Sequence, residues 1–284
     1  FGWDRYGQCS LSGEGTAGCT QITAGGGHTV LLRNDGSVQA FGYNANGQCN
    51  TPKAPAGLRY VAIAAGDQFS LLLRSDGHVV FHGSCNKAWN MQLEISMYAA
   101  TRDIHYVGVA AGGDIIVLLC SDGTAAAFGD EDDGACFLPE LPKTRRYVAA
   151  AVGCRHSVLL RDDGTVVARG QNSCGQCLIP KLPPGVRYTQ VAAGAQHTVL
   201  LRSDGHVVAF GHSCEGQCDV PALPGGLRYT GVAAGFGHTL LVRSDGEAFG
   251  FGMKLFGRCE IPLRPAGLRY APLMASHQAS PRTL

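Results

Sequence analysis

The chain has 284 residues, a net charge of +1, only 16% charged and 45% hydrophobic residues, and 40 glycines. So little charge leaves no broad basic field for nucleic acid or an anionic membrane, and no apolar run reaches the ~18 to 20 residues of a membrane span. The hydrophobic content makes the glycines punctuation of a packed protein rather than a sign of disorder.

In chain order, the first recognisable element is the Gly-x4-Gly-x-Cys loop that starts at Gly2. It recurs from Gly42, Gly129, Gly170, Gly211 and Gly252, with a degraded copy from Gly83 to Asn90. A small-residue segment ending at Gly25 follows, and returns at Gly66, Gly112, Gly153, Gly194 and Gly235; a poorer version runs from Leu273 to Ser276. Next comes an Asp-Gly pair between two β-branched and apolar runs, at Asp35, Asp76, Asp122, Asp163, Asp204 and Asp245, in steps of 41, 46, 41, 41 and 41 residues. Such a pair is a tight-turn signal, since glycine takes the positive φ the turn demands. The single longer step is a five-residue insertion within Met91 to Ile104.

The best-formed copy, Val191 to Tyr229, shows what one repeat predicts. An Arg-Tyr-x-x-Val-Ala-Ala strand leads through a Gly-x-x-His turn to a Thr-Val-Leu-Leu-Arg strand and the Asp-Gly turn. A Val-Val-Ala-Phe strand, a Gly-x4-Gly loop, a Gln-Cys-x-Val-Pro strand and a Pro/Gly-rich connection complete it. Four short strands in a period near 40 residues is the pattern of a propeller blade. In repeat register the C-terminal Leu284 corresponds to Arg243 and Phe1 to Phe251, so the two ends are predicted to meet and build a seventh blade. The chain opens inside a motif, without an initiator methionine or signal peptide, which predicts a portion of a longer precursor.

The pattern VAAG…HTVLLRSDGxVVAFGxNxxGQC resembles the repeat of the RCC1 (regulator of chromosome condensation 1) family. The likeness covers nearly the whole chain and implies an all-β, seven-bladed propeller of four-stranded blades forming a single domain. The founding member of that family is a chromatin-bound guanine-nucleotide exchange factor for a small GTPase, and related propellers flank ubiquitin-ligase catalytic domains, sense ultraviolet light or inhibit β-lactamases. An ultraviolet sensor would need a tryptophan cluster, and this chain has only Trp3 and Trp89. The five-residue insertion is short for an exchange wedge, and no ligase domain is present in these residues. Gly216 to Pro221 matches the GQ-x-x-VP segment of the inhibitors, which keeps an enzyme-inhibitor role as an alternative beside exchange on a Ran-like GTPase.

Twelve cysteines would fit a disulfide framework, but Cys9, Cys49, Cys136, Cys177, Cys218 and Cys259 share one repeat position. Equivalent points on packed sheets stand ~10 Å apart, beyond the ~7 Å a disulfide spans. Buried thiols in an intracellular reducing compartment are the expectation. Cys174 with Cys177 and Cys214 with Cys218 have metal-like spacing but no second matching pair, so no metal and no cofactor are expected. His28, His156, His197 and His238 share a position that Phe69 and Ile115 also fill, which assigns them to packing. Tyr60, Tyr106, Tyr147, Tyr188, Tyr229 and Tyr270 read as packing between blades with the hydroxyl bonded. Arg33, Arg74, Arg161, Arg202 and Arg243 each precede an aspartate by two residues, predicting local neutralisation.

Function is then sought where repeats disagree, in the x4 tetrads. These hold Trp3, Asp4 and Tyr6; Tyr43 and Asn44; Asp130, Glu131, Asp132 and Asp133; Asn172; His212 and Glu215; and Lys254 and Phe256, with Trp89 nearby. Alternating strands place these loops on one face together with the Gly-x-x-His turns. Aromatic anchors and an acidic run are residue types of protein interfaces. The reading is a non-catalytic scaffold that binds a protein partner through this face, with no signal for self-association.

Overall fold

The computed structural model describes residues 4–10, 18–85, 90–262 and Tyr270. Among them stand six three-stranded antiparallel sheets, called here blades one to six. Blade one is β1 (Cys19–Ala24), β2 (His28–Arg33) and β3 (Val38–Gly42); blade two is β4 (Tyr60–Ala65), β5 (Phe69–Arg74) and β6 (Val79–Gly83). After α1 (Met91–Arg102), blade three is β7 (Tyr106–Gly112), β8 (Ile115–Cys120) and β9 (Ala125–Gly129). Blade four is β10 (Tyr147–Val152), β11 (His156–Arg161) and β12 (Val166–Gly170). Blade five is β13 (Tyr188–Ala193), β14 (His197–Arg202) and β15 (Val207–Gly211). Blade six is β16 (Tyr229–Ala234), β17 (His238–Arg243) and β18 (Ala248–Gly252).

Each middle strand pairs on both sides, and those of blades one to five are buried on both faces, which is why they read as apolar runs. Successive side chains of a strand point to opposite faces, and the clusters follow that rule. Leu72 of β5 packs with Val30 and Leu32 of blade one, while Leu71 and Leu73 pack with Ile116 and Leu118 of blade three. The blades therefore stack face to face. The Asp-Gly turns form as expected: Gly205 has φ +85, and the Asp122 and Asp163 carboxylates accept the amides of Thr124 and Thr165 at 2.9 Å.

A polar node crosses each of three blade boundaries. His28 Nε2 lies 2.9 Å from Ser70 Oγ, and that hydroxyl donates to the Gln48 carbonyl at 2.8 Å. His156 with Thr198 and Gln176, and His197 with Thr239 and Gln217, repeat the arrangement. Because the hydroxyl proton is committed to a carbonyl, the ring nitrogen facing it must be the donor, so each ring is neutral with its proton on Nε2. Nδ1 of His28, His156 and His197 is left buried without a hydrogen-bond partner. Burial lowers these histidines, and His238, to about 4. Room for each ring comes from the preceding glycine: a Cβ on Gly194 would stand 2.1 Å from the His197 ring.

Three expectations are corrected. The Gln-Cys-x-Val-Pro segment is not a fourth strand, since two successive turns curl it, closed by Gly47 N to Asn44 O and Asn50 N to Gly47 O. Its glutamine carbonyl is taken by a hydroxyl of the next blade, and its proline has no donor for a ladder. Second, the blades are three-stranded rather than four-stranded: six such sheets stand among the described residues, and Phe1 to Trp3 and 271–284, on which much of the expected seventh blade rests, lie outside them. Third, the fold is not purely β. The insertion makes α1, begun by Asn90, whose side chain accepts from Leu93 N, and ended by Asp103 at φ 52. Gln92 on this helix covers the open edge of β6 by accepting from Phe81 N and donating to Val79 O.

The Gly194→Ala variant is expected to lose about 2 kcal/mol or more, as overpacked cores do; an unchanged thermal midpoint would show that the ring has room to move. The histidine values fix the sign of an acid effect. A folded-state value near 4 against an ordinary 6.5 means that stability is complete above pH 6.5 and is lost as pH falls toward 4. Denaturant titrations at pH 7 and 4.5 should show that drop shrinking in the His156→Phe/His197→Phe double variant, phenylalanine being the residue already at 69.

Candidate functional site

Each Gly-x4-Gly loop is tied to the turn beside it. The first loop residue donates its amide to the last residue before the histidine position: Tyr43 to Gly27, Asp130 to Asp114, Gln171 to Arg155, His212 to Gln196 and Met253 to Gly237. Loops and inner turns thus share one face, as the strand alternation predicts.

Within the loops, recurring side chains do the folding. Buried Gln8, Gln48, Gln176 and Gln217 accept the amide two residues before them. The second tetrad position caps the cysteine amide: Asp4 to Cys9 at 2.7 Å, Asn44 to Cys49 at 2.8 Å, Asn172 to Cys177 at 2.9 Å. The Cys9 amide first, and then the Ser10 hydroxyl, hold Asp4 below the usual carboxylate range. The cysteine thiols close the loops in turn, each donating to a carbonyl six residues back, as Cys177 does to Gln171 at 3.4 Å. Burial pushes Cys177 up to about 11 and Cys136 to about 12, so these thiols are poor nucleophiles. All twelve cysteines are free. Among the described residues no cluster of histidine, cysteine and carboxylate has a metal-binding arrangement.

The remaining tetrad side chains project outward. Tyr6 and Tyr43 meet with ring centroids 5.0 Å apart. Asp133 pairs with Arg155 of the next blade at 3.2 Å, while Asp130 turns inward to accept the Asp132 amide. Lys254 and Phe256 are exposed on blade six, where Phe256 takes φ 61, a strained value for a large side chain. His212 and Glu215 come together in a cavity of about 230 Å³ between blades four to six, shared with Arg155, Gln171, Phe236 and Met253. The acidic run follows blade three, whereas Lys254 and Phe256 follow blade six, so the sequence-predicted residues are spread over the face and do not converge on one centre. Trp3 and Trp89 lie outside the described residues.

Sequence reasoning missed Arg155 and Phe236, the latter 64% exposed. Both belong to the two-residue x-x of the Gly-x-x-His turn, which varies as freely as the tetrads: Gly-Gly, Asp-Gln, Gly-Asp, Cys-Arg, Ala-Gln and Phe-Gly. That variability was the available signal.

Residues 19–48, 147–176 and 188–217 match the family model described as "Regulator of chromosome condensation (RCC1) repeat". No curated protein sequence matches the chain. Among solved structures, the chain is similar to Prp20p of Saccharomyces cerevisiae, at 21% identity over 83% of this chain and 72% of that one, with a TM-score of 0.68. Human WBSCR16 is similar at 17% identity over 90% and 81%, with a TM-score of 0.66. The CRINKLY WD40 ectodomain of the Arabidopsis thaliana receptor kinase ACR4 is similar at 22% over 86% and 82%, with a TM-score of 0.60. At these identities the likeness is one of fold. Three stretches of the chain thus match the RCC1 repeat, within a propeller-like all-β fold.

Proposed function

We propose that this chain is a non-catalytic interaction scaffold, free or as a module of a larger assembly, which binds a protein partner through its loop face. One observation carries the reading: the side chains that recur from loop to loop are spent holding the loops, while those that vary project from a frame they do not build. A rigid frame with variable tips lowers the ordering cost of binding. Phe236 and Met253 in the inter-blade cavity supply apolar anchors, and Arg155, His212 and Glu215 supply polar ones. The comparisons support a protein partner in kind, since the Prp20p structure is described with its binding to Gsp1p and histones, and yeast RCC1 (Prp20) is described bound to Kap60.

Two finer features belong to the same proposal. A seventh blade is assembled from both ends of one propeller domain. Its support is that Tyr270 N donates to Gly246 O, as Tyr229 does to Gly205, and that Thr29 donates to Gln8 O as Thr198 does to Gln176. The chain works in a reducing compartment, a reading supported by repeat-position thiols that are hydrogen-bonded within their own loops.

Immobilised chain exposed to native extract, with captured proteins read by mass spectrometry, tests the scaffold. The Phe236→Ala/Asp132→Lys variant is expected to retain its thermal midpoint and to lose about tenfold or more of the captured partner, as interface anchors do. Arg202→Gln, on the opposite face, should capture as wild type does. Equal losses from the two variants would contradict the reading, and faster nucleotide release from a Ran-like GTPase would replace it with an exchange function.

A further inference from the structure

The face opposite the loops carries two sets of arginines that differ in one respect. In the first set, just before the Asp-Gly turns, Arg74, Arg202 and Arg243 each bond the aspartate two residues on, whereas Arg33 bonds Gln39 and Arg161 lies over the Tyr147 ring with its buried Nε unpartnered. The second set lies immediately before the tyrosine that starts each inner strand, at Arg59, Arg146, Arg187 and Arg228, with His105 in that place on blade three. All five are exposed. Among the described residues, Arg59, Arg187 and Arg228 form no ion pair, and Arg146 makes only a 3.5 Å bond to the Ser121 carbonyl.

The backbone and the stem of each side chain are also held in place. The Arg187 amide donates to Ser203 Oγ and its carbonyl accepts from Ser203 N at 2.8 Å; Arg59 with Ser75 and Arg228 with Ser244 repeat the pair. Each stem lies on the turn glycine of the preceding blade, close enough that a Cβ there would stand 2.5 Å from the Arg59 or Arg187 Cβ and 2.2 Å from the Arg228 Cβ. The glycine needed for the turn thus also seats the arginine. The result is an exposed arginine at the same place on blades two, four, five and six, with His105 at that place on blade three, following the arc of the propeller.

We propose that this arc binds an extended acidic polypeptide segment of a partner protein. The spacing selects that occupant. Packed sheets repeat at ~10 Å and an extended chain advances ~3.3 Å per residue, so about three residues bridge neighbouring arginines and a flexible peptide bends along the arc. Duplex DNA is straight over this length, with a charge every ~1.7 Å of axis, and meets few cations of a curved row. Guanidinium forks suit carboxylates, with which they make paired hydrogen bonds.

Fluorescein-labelled poly-glutamate of about 20 residues, titrated with the whole chain at low salt, tests this, with a single-stranded DNA of equal length beside it. Poly-glutamate is expected to bind, with affinity falling steeply as salt is added. Arg187→Gln/Arg228→Gln should bind about fivefold more weakly, the effect of two exposed charge pairs, while Arg187→Lys/Arg228→Lys recovers most of the loss and Arg202→Gln stays within about twofold of wild type. Absence of poly-glutamate binding, an equal loss in Arg202→Gln, or tighter binding of the DNA that the same double variant abolishes would overturn the proposal. Unchanged thermal midpoints, expected for exposed side chains, separate lost binding from lost folding.

Discussion

The boundary between blades depends on a hydroxyl that serves two masters. Ser70, Thr198 and Thr239 each donate to the carbonyl of a glutamine in the preceding blade's loop and face an imidazole Nε2 of that blade's middle strand. One side chain thereby joins a loop and a strand of one blade to the core of the next. The geometry requires a glycine where the ring lies, a neutral histidine with a defined tautomer, and a loop curled enough to present its carbonyl. That last requirement explains why the Gln-Cys segment turns instead of extending: a fourth ladder strand would direct this carbonyl to its own sheet. In blade two Phe69 fills the histidine's place, with a Cβ on Gly66 only 2.3 Å from its ring. A ring is thus accommodated there without the polar bond, which is an added contribution on the order of 1 kcal/mol for a neutral hydrogen bond.

Because the frame is held from within, the two faces are left to differ. On the loop face, glutamine, the capping residue and cysteine are consumed by the loop, and what projects is particular to each blade. On the opposite face the Asp-Gly turns repeat so faithfully that an exposed arginine recurs on blades two, four, five and six. What projects thus differs from blade to blade on one face and recurs on most blades of the other. These are the two ways a repeat architecture presents a surface.

Much of this was legible in the sequence. The hairpins, their register, the packing role of the histidine column and the bonded hydroxyls of Tyr106, Tyr147, Tyr188, Tyr229 and Tyr270 all follow from residue type at fixed spacing. Tyr188 and Tyr229 reach the carbonyls of Pro180 and Pro221 at 2.9 and 2.8 Å, as that reading requires. The candidate site was legible only in part. Asp4, Asn44 and Asn172 look like variable surface residues because Asp, Asn, Ser, Cys, Glu and Lys all occur at their position, yet Asp, Asn and Ser share the ability to accept an amide hydrogen, so that part of the variation is conservative in the chemistry that matters. Arg155 and Phe236 escaped because the recurring histidine overshadows the two residues before it.

By itself the sequence determined the period, the turns and which runs are buried, because hydrophobic alternation and the positive φ of glycine are local properties of the chain. Tertiary structure alone decided three things. It took the Gln carbonyls out of any ladder, laid the helical insertion over the edge of β6, and seated Arg59, Arg187 and Arg228 on the turn glycines of the preceding blades. Each depends on a partner in another element, as in the Ser70 to Gln48 bond, the Gln92 bonds to β6 and the seat of Arg228 on Gly205. Spacing along a chain records the repeat but not what the next copy places opposite it.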